Sequence, residues 1–353
     1  MISFELTEEQ RALKETARKF AQEEVAPVAR ELDEKGEFPS ALIKKAWEIG
    51  LTCENIPQEA GGLGLGTFET CLIQEEISAA CPGVCTCIAA TGLALTPIIL
   101  FGSAEQKNEF LKPFTENFKL AAFCLTEPEA GSDAGNMSTT AVRDGDYYIL
   151  NGTKQWITNG GVADLMTVFA TVDRTKRYKG ITAFIVPANL PGITPGPHEN
   201  KMGHRCSNTT PVTFENVRVP AKNMIGKEGE GFKVAMGTLD KSRPTVGAGA
   251  VGLARAALEH SIKYAKDRKQ FGGPIASLQA INFMLADMAK DVEAARLLTW
   301  YAAWLIDNKK PATKVSAMCK VFATDVAMRV AIDAVQIFGG YGYVKEYPVE
   351  KLM

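Results

Sequence analysis

Residues 164–172 read DLMTVFATV and residues 180–188 read GITAFIVPA. Each is a short apolar run, rich in β-branched and aromatic side chains and bounded by turn-forming residues, which is the pattern of a strand. DGDYYILNG (144–152) precedes them. PVTFENVRVP (211–220) follows, alternating Val212, Phe214, Val217 and Val219 with a slip at Glu215–Asn216 that suits a bulge. No helix of useful length separates these runs. That order predicts antiparallel sheet, a barrel or sandwich, and speaks against a doubly wound nucleotide fold.

Outward from this middle, the period changes from 2 to 3.6. On the N-terminal side Thr7 and Gln10 form a capping box, and Leu13, Ala17, Phe20 and Ala21 then make one apolar stripe. A second helix opens at FPSALIKKAWEIG. Pro39 suits its first turn, Leu42, Ile43, Ala46 and Ile49 face inward, and Gly50 ends it. FETCLIQEEISAA (68–80) and AEQKNEFLKPF (104–114) are helical again. GGLGLG (61–66) has the glycines of a phosphate loop, but no GK[ST] follows and no clean strand precedes it, so a plain loop is expected. On the C-terminal side a long helix starts near 231, interrupted only by Pro244 and rich in small residues that permit close packing. Two more follow at about 275–308 and 314–338. The fold class is α+β: an N-terminal helical domain (1–120), a middle antiparallel β-barrel or sandwich domain (121–230) and a C-terminal long-helix bundle (231–353). Pockets favour the places where such layers meet.

The 353 residues exceed one ordinary core. With 46% hydrophobic and 23% charged residues the chain is an ordinary globular mixture. The 39 basic and 41 acidic side chains leave a net charge of −2, which disfavours nucleic acid but leaves room for a local basic patch that holds a phosphorylated small molecule. MISFELTEEQ lacks the basic start and apolar core of a signal peptide, and no apolar run is expected to reach the roughly 18 residues of a membrane span. Of eight cysteines, the group CPGVCTC (81–87) has no matching second pair, so small buried thiols are expected rather than a metal centre. His198, His204 and His260 do not cluster, so none is expected to be a general base or ligand.

LTEPEAGSD (125–133), NGTKQWITNGG (151–161), DRKQFGGPI (267–275) and AVQIFGGYGYVKEYPVEKLM (334–353) together resemble the acyl-CoA dehydrogenase family, in the family's order and over essentially the whole chain. GFKVAMGTLDKSRP and GGLGLGTFETCLIQEE are similar to the straight-chain, medium- or short-chain branch. The resemblance implies non-covalent FAD, a homo-oligomer built as a dimer of dimers, and α,β-dehydrogenation of a fatty acyl-CoA to the trans-2-enoyl-CoA in β-oxidation. It also implies electron transfer to electron-transferring flavoprotein and no stable membrane insertion. A mitochondrial matrix location follows for a eukaryotic source, and a cytoplasmic one for a bacterial source.

Residue by residue, the resemblance places the backbone around Leu125 and the hydroxyl of Thr126 at the pyrimidine end and N5 edge of the flavin. Phe123 lines the acyl path in the same loop, and Gly131 and Ser132 sit near the pyrophosphate and the CoA. Trp156 and Thr158 pack on the ring's far side. Arg268 reaches the FAD pyrophosphate of a neighbouring subunit, where a planar guanidinium suits a diphosphate. Phe271 lies beside it, and Gln279, Gln336, Gly339 and Gly340 complete that site. Gln270 stands where many relatives carry Thr or Ser. Asp240, Ser242 and Arg243 resemble residues near the CoA and acyl entrance. Asp240 and Arg243, three apart, share a helix face, and a simple ion pair between them is the alternative.

The family's general base, a glutamate, is expected beyond Met353, so no catalytic residue is assigned within 1–353. In branches that carry it on the first long helix, the matching position is Ser242, which cannot act as that base. Residues 1–353 alone are therefore expected to be inactive and to hold FAD weakly or assemble poorly. The alternatives are a related acyl-CoA oxidase and a non-catalytic scaffold on the same fold.

Overall fold

The computed structural model describes residues 5–353, so the first four residues of MISFELTEEQ lie outside the described residues. Helices α1 (Glu8–Phe20), α2 (Ala29–Lys35), α3 (Ser40–Glu48), α4 (Thr67–Ala80), α5 (Pro82–Phe101), α6 (Ala104–Phe110) and α7 (Lys112–Glu116) come first. The strands follow as β1 (Ala121–Cys124), β2 (Thr140–Asp144), β3 (Tyr147–Thr158), β4 (Leu165–Thr171), β5 (Ile181–Pro187), β6 (Ile193–Pro195), β7 (Thr209–Pro220) and β8 (Met224–Ile225). Helices α8 (Gly231–Asp267), α9 (Gln279–Asp307), α10 (Thr313–Phe338) and α11 (Val349–Leu352) close the chain.

By packing, the chain forms two compact units: Met1–Glu31 with Gly66–Cys85 and Asp240–Met353, and Leu32–Leu65 with Thr86–Leu239. This is a different criterion from the division by element type at 120/121 and 230/231.

The second unit contains the sheet, in the order β6-β7-β3-β2-β4-β5-β8 with β1 paired to β4. Antiparallel ladders dominate, as the strand order predicts. The sheet is nevertheless mixed, because β1 runs parallel to β4 and Thr140 of β2 pairs parallel with Thr171. The connection from β1 to β4 contains the β2–β3 hairpin instead of a helix, a crossover that a search for helices between strands does not find. The runs in β4 and β5 are continuous rather than alternating because both faces are covered. Leu165, Phe169, Ile181 and Ile185 pack with Leu95, Ile98, Leu111 and Phe114. Met166, Val168, Phe184 and Val186 pack with Leu150, Val212, Phe214 and Val219.

Two irregularities break the β3–β7 ladder. One is the bulge expected at Glu215–Asn216, where Asn216 takes φ 52° and its N–H donates 2.8 Å to Asn151 Oδ1. The other inserts Gln155 and Trp156 opposite Pro211, and Trp156 takes φ 61°.

Three helical expectations need correction. Ile49, expected to face inward, is 49% exposed at the C-cap of α3, one residue past the end of the helix. Residues 104–114 form two helices, because Pro113 has no N–H to continue the ladder. The expectation that no apolar run reaches membrane length also fails. The helix Pro82–Phe101 has 20 residues and no charge, long and apolar enough to cross a membrane. Its Ala94, Leu95 and Ile98 are at most 1% exposed inside the core of the second unit, so this face of the run is covered by protein.

Helices α8, α9 and α10 run 37, 29 and 26 residues, and α8 continues through Pro244; from Asp240 onward they belong to the first unit. The small residues of α8 do permit close approach: a side-chain carbon on Gly252 would lie 2.2 Å from the Glu75 carbonyl of α4. Glu75 and Glu76, both buried, are matched there by Arg255, Arg296, Arg18 and Lys14. The Thr7–Gln10 capping box is present, and all eight cysteines are buried, none in a disulfide. Burial pushes the thiols of Cys53, Cys85, Cys124 and Cys319 up to about 12, so they are packing groups.

Candidate functional site

In the second unit the chain leaves β1 at Cys124 and turns over residues 125–130, where Glu127 and Ala130 bond each other's backbone at 3.1 and 3.2 Å. Beneath this turn lies a buried ion pair. Lys154, pointing inward from β3 at 0% exposure, donates to Glu127 Oε1 at 2.8 Å and to the Leu125 carbonyl at 3.1 Å. The Glu127 carboxylate also accepts from Ser138 N and Oγ (2.5 and 2.7 Å) and from Thr139 N (2.9 Å). Burial alone would raise the Glu127 carboxyl. The Lys154 ammonium and the other donors outweigh it and bring it down to about 2. Burial pulls the Lys154 ammonium below its ordinary value, and Glu127 opposes that pull.

With its carbonyl tied to Gln155 N at 2.8 Å, Thr126 keeps its own N–H and hydroxyl free of any protein partner among the described residues. The β3 bulge that supplies Gln155 N also turns Trp156 outward, 58% exposed, while Thr158, half-buried, pairs along the ladder with Thr209. Phe123 is half-buried, its ring 5.0 Å from that of Phe169. Gly131 and Ser132 are exposed, and a side-chain carbon on Gly131 would meet nothing within 4 Å.

In the first unit a cavity of about 610 Å³ opens between the end of α8 and the end of α10. Arg268, Phe271, Gly339 and Gly340 all line it, together with Tyr264 and Tyr341. Tyr264 stacks on Phe338 at 4.0 Å, and the Arg268 guanidinium lies 5.4 Å from the Tyr341 ring centre. No carboxylate of the described residues pairs with Arg268. Phe271 is 93% exposed. Gln279, the first residue of α9, and Gln336, near the end of α10, are both exposed, and neither lines the cavity. Asp240 and Arg243 form an ion pair, and Asp240 also accepts 2.6 Å from the Thr313 hydroxyl. Both carboxylate oxygens are thus engaged, and Ser242 lies between the two residues in sequence.

Both places fit the parts of a flavin dinucleotide. The first presents unclaimed donors beside a large aromatic that folding leaves uncovered, which suits a flat heteroaromatic ring with an acceptor edge. The second presents a cation without counter-charge beside two glycines with open space above them, which suits a diphosphate. Sequence reading did not single out Glu127 or Lys154. Their sequence neighbours, Thr126 and Pro128 for Glu127 and Thr153 and Gln155 for Lys154, give no local sign of burial. Tyr264 and Tyr341 were likewise missed, although the repeated aromatics of FGGYGY pointed there.

The acyl-CoA dehydrogenase N-terminal, middle and C-terminal domains match residues 7–117, 122–217 and 229–353. The chain is 47% identical over 350 residues to the mitochondrial short-chain specific acyl-CoA dehydrogenase of Mus musculus, covering 99% of this chain and 85% of that one. It superposes on the butyryl-CoA dehydrogenase of Megasphaera elsdenii with a TM-score of 0.97, at 44% identity, over 100% of this chain and 93% of that one. A chain from a structure described as "Electron transferring flavoprotein of Acidaminococcus fermentans: Towards a mechanism of flavin-based electron bifurcation" gives a TM-score of 0.97 at 47% identity, over 100% and 93%. This chain therefore belongs to the acyl-CoA dehydrogenase family, a family of flavoprotein oxidoreductases.

Proposed function

We propose that this chain binds FAD and carries out α,β-dehydrogenation of short straight-chain acyl-CoA thioesters, passing the electrons to electron-transferring flavoprotein. The observation that carries the reading is the unclaimed Thr126 N–H and hydroxyl beside the outward-turned Trp156, on a turn whose sequence resembles the family's flavin loop. FAD, when bound, supplies the two-electron acceptor. Leu125, Thr126, Trp156 and Thr158 hold its ring, and Gly131 and Ser132 admit the pyrophosphate and CoA. Arg268, with Phe271, Gly339 and Gly340, serves the dinucleotide of a neighbouring subunit, and Gln279 and Gln336 flank it. Asp240, Ser242 and Arg243 border the CoA entrance. The engagement of Asp240 by Arg243 and Thr313 supports a binding role for it rather than proton removal. No general base is assigned among residues 1–353.

A homo-oligomer, a dimer of dimers, is part of the same reading. Met318, Val321, Phe322, Met328 and Ile332 lie at helical spacing along α10, each at least 37% exposed, a stripe suited to a second copy. The matrix of a mitochondrion or the bacterial cytoplasm is the proposed location, and 1–120, 121–230 and 231–353 the proposed domains.

The test is anaerobic titration of the protein with acyl-CoA thioesters of graded chain length, followed by flavin absorbance. Bleaching that is strongest with butyryl-CoA supports the reading. Rapid peroxide formation in air on reduction would move it to an oxidase. Absence of flavin together with no bleaching would move it to a scaffold.

A further inference from the structure

We propose that Glu127 and Lys154 are positioning residues for the flavin: the buried pair sets and polarises the Leu125–Thr126 peptide, so that the Thr126 N–H is presented outward as a strengthened donor. The inference rests on the flavin reading above. Its geometry is independent of any ligand. Lys154 Nζ holds the Leu125 carbonyl at 3.1 Å from inside the sheet. In a trans peptide the next N–H points the opposite way, so this inward bond turns the Thr126 N–H outward. The following Thr126–Glu127 peptide is fixed in turn by the Gln155 N–H on the Thr126 carbonyl, so the backbone is held on both sides of Thr126.

A fully buried ammonium on the carbonyl draws charge through the peptide and makes the N–H a better donor, the cooperative strengthening of linked hydrogen bonds. Glu127 holds the ammonium in place, and its remaining acceptor capacity is spent on Ser138 and Thr139 at the far end of the loop. The loop is thereby clamped at both ends by one carboxylate. A plain structural pair would satisfy its own charges without a bond to the one carbonyl whose direction decides where the Thr126 N–H points. A reduced ring carries more negative charge than an oxidised one, so a strengthened donor favours the reduced form.

The decisive variant is the double substitution Glu127→Gln with Lys154→Met. It removes both buried charges together and leaves none unpaired. The FAD-bound protein and the variant are compared in FAD dissociation constant, flavin reduction potential and amide exchange. The expected result is a folded variant whose FAD affinity falls about tenfold or more. The ratio of reduced to oxidised affinity also falls about tenfold, a drop of about 30 mV for a two-electron couple. The amides of Gln155, Ser138 and Thr139, slow to exchange in the parent, become fast. Lys154→Arg, which keeps the charge, recovers part of the potential shift.

Unchanged affinity, potential and exchange in the double variant would overturn the proposal. If the variant does not fold, rapid exchange of those three amides in the parent protein overturns it, and slow exchange supports the clamp. A parent protein that takes up no FAD sinks the flavin reading itself, whereas a parent that binds FAD and a variant indistinguishable from it sink only this inference.

Discussion

Trp156 sits where a glycine would be at ease, at φ 61° in a β-bulge, and most of its ring is uncovered. Replacing it with glycine separates what the ring does for folding from what it does for a ligand. A tryptophan can bury roughly 250 Å². At 58% exposure about 105 Å² of Trp156 is packed and about 145 Å² is open. The packed part is worth about 2.6 kcal/mol at 25 cal/mol per Å². Against that loss, Trp156→Gly relieves a left-handed backbone that costs a bulky residue about 1–3 kcal/mol. The net loss of stability is therefore small, within about 1.5 kcal/mol. If a flavin covers between half and all of the open face, its removal costs about 1.8–3.6 kcal/mol of binding, a rise of about 20- to 400-fold in the FAD dissociation constant. Urea unfolding and FAD fluorescence titration measure the two quantities on one preparation. FAD binding within threefold of the parent, or a stability loss above about 3 kcal/mol, would show that Trp156 is a core residue and refute the reasoning.

Arg268→Gln is expected to leave the melting curve nearly unchanged, because no carboxylate among the described residues pairs with it, while FAD binding weakens by about 1.5–3 kcal/mol, read by fluorescence titration. The Glu127 carboxyl, lowered in the fold from 4.5 to about 2, contributes stability that is complete above 4.5 and lost as pH falls through 2. Glu127→Gln should flatten that acid limb of a stability–pH curve, and an unaltered limb would count against the assignment. Gly252→Ala should destabilise by more than about 3 kcal/mol in urea, because its new methyl would meet backbone and not a movable side chain. A thiol reagent should label essentially none of the eight cysteines in the folded chain and all eight in guanidinium.

The fold was largely legible because its elements announce themselves locally. The Thr7–Gln10 capping box, the period of α1 and the bulge at Glu215–Asn216 each depend on a few neighbouring residues, and each is present. What escaped depends on distant partners. The four residues of β1 are strand only because β4 lies beside them, and Ile49 faces water because α3 ends one residue earlier than its stripe. At the site, motif likeness led to Thr126, Trp156 and Arg268. It could not lead to the Lys154–Glu127 pair, since a lysine in NGTKQWITNGG reads as solvated until the sheet is seen to close over it. The placing of Gln279 and Gln336 outside the Arg268 cavity depends likewise on helix rotation, which spacing alone does not specify.

The charge-free helix Pro82–Phe101 imposes an obligation on biosynthesis. It leaves the ribosome before β4, β5 and the first turns of α8, whose Phe169, Ile185 and Val234 share its core, have been made. During that interval it offers a nascent chain's most adhesive segment to whatever is near, a chaperone or a bilayer included. Fragments that end between Phe101 and the sheet should therefore partition into aggregates or detergent, whereas a chain long enough to reach Ala235 carries its own shelter.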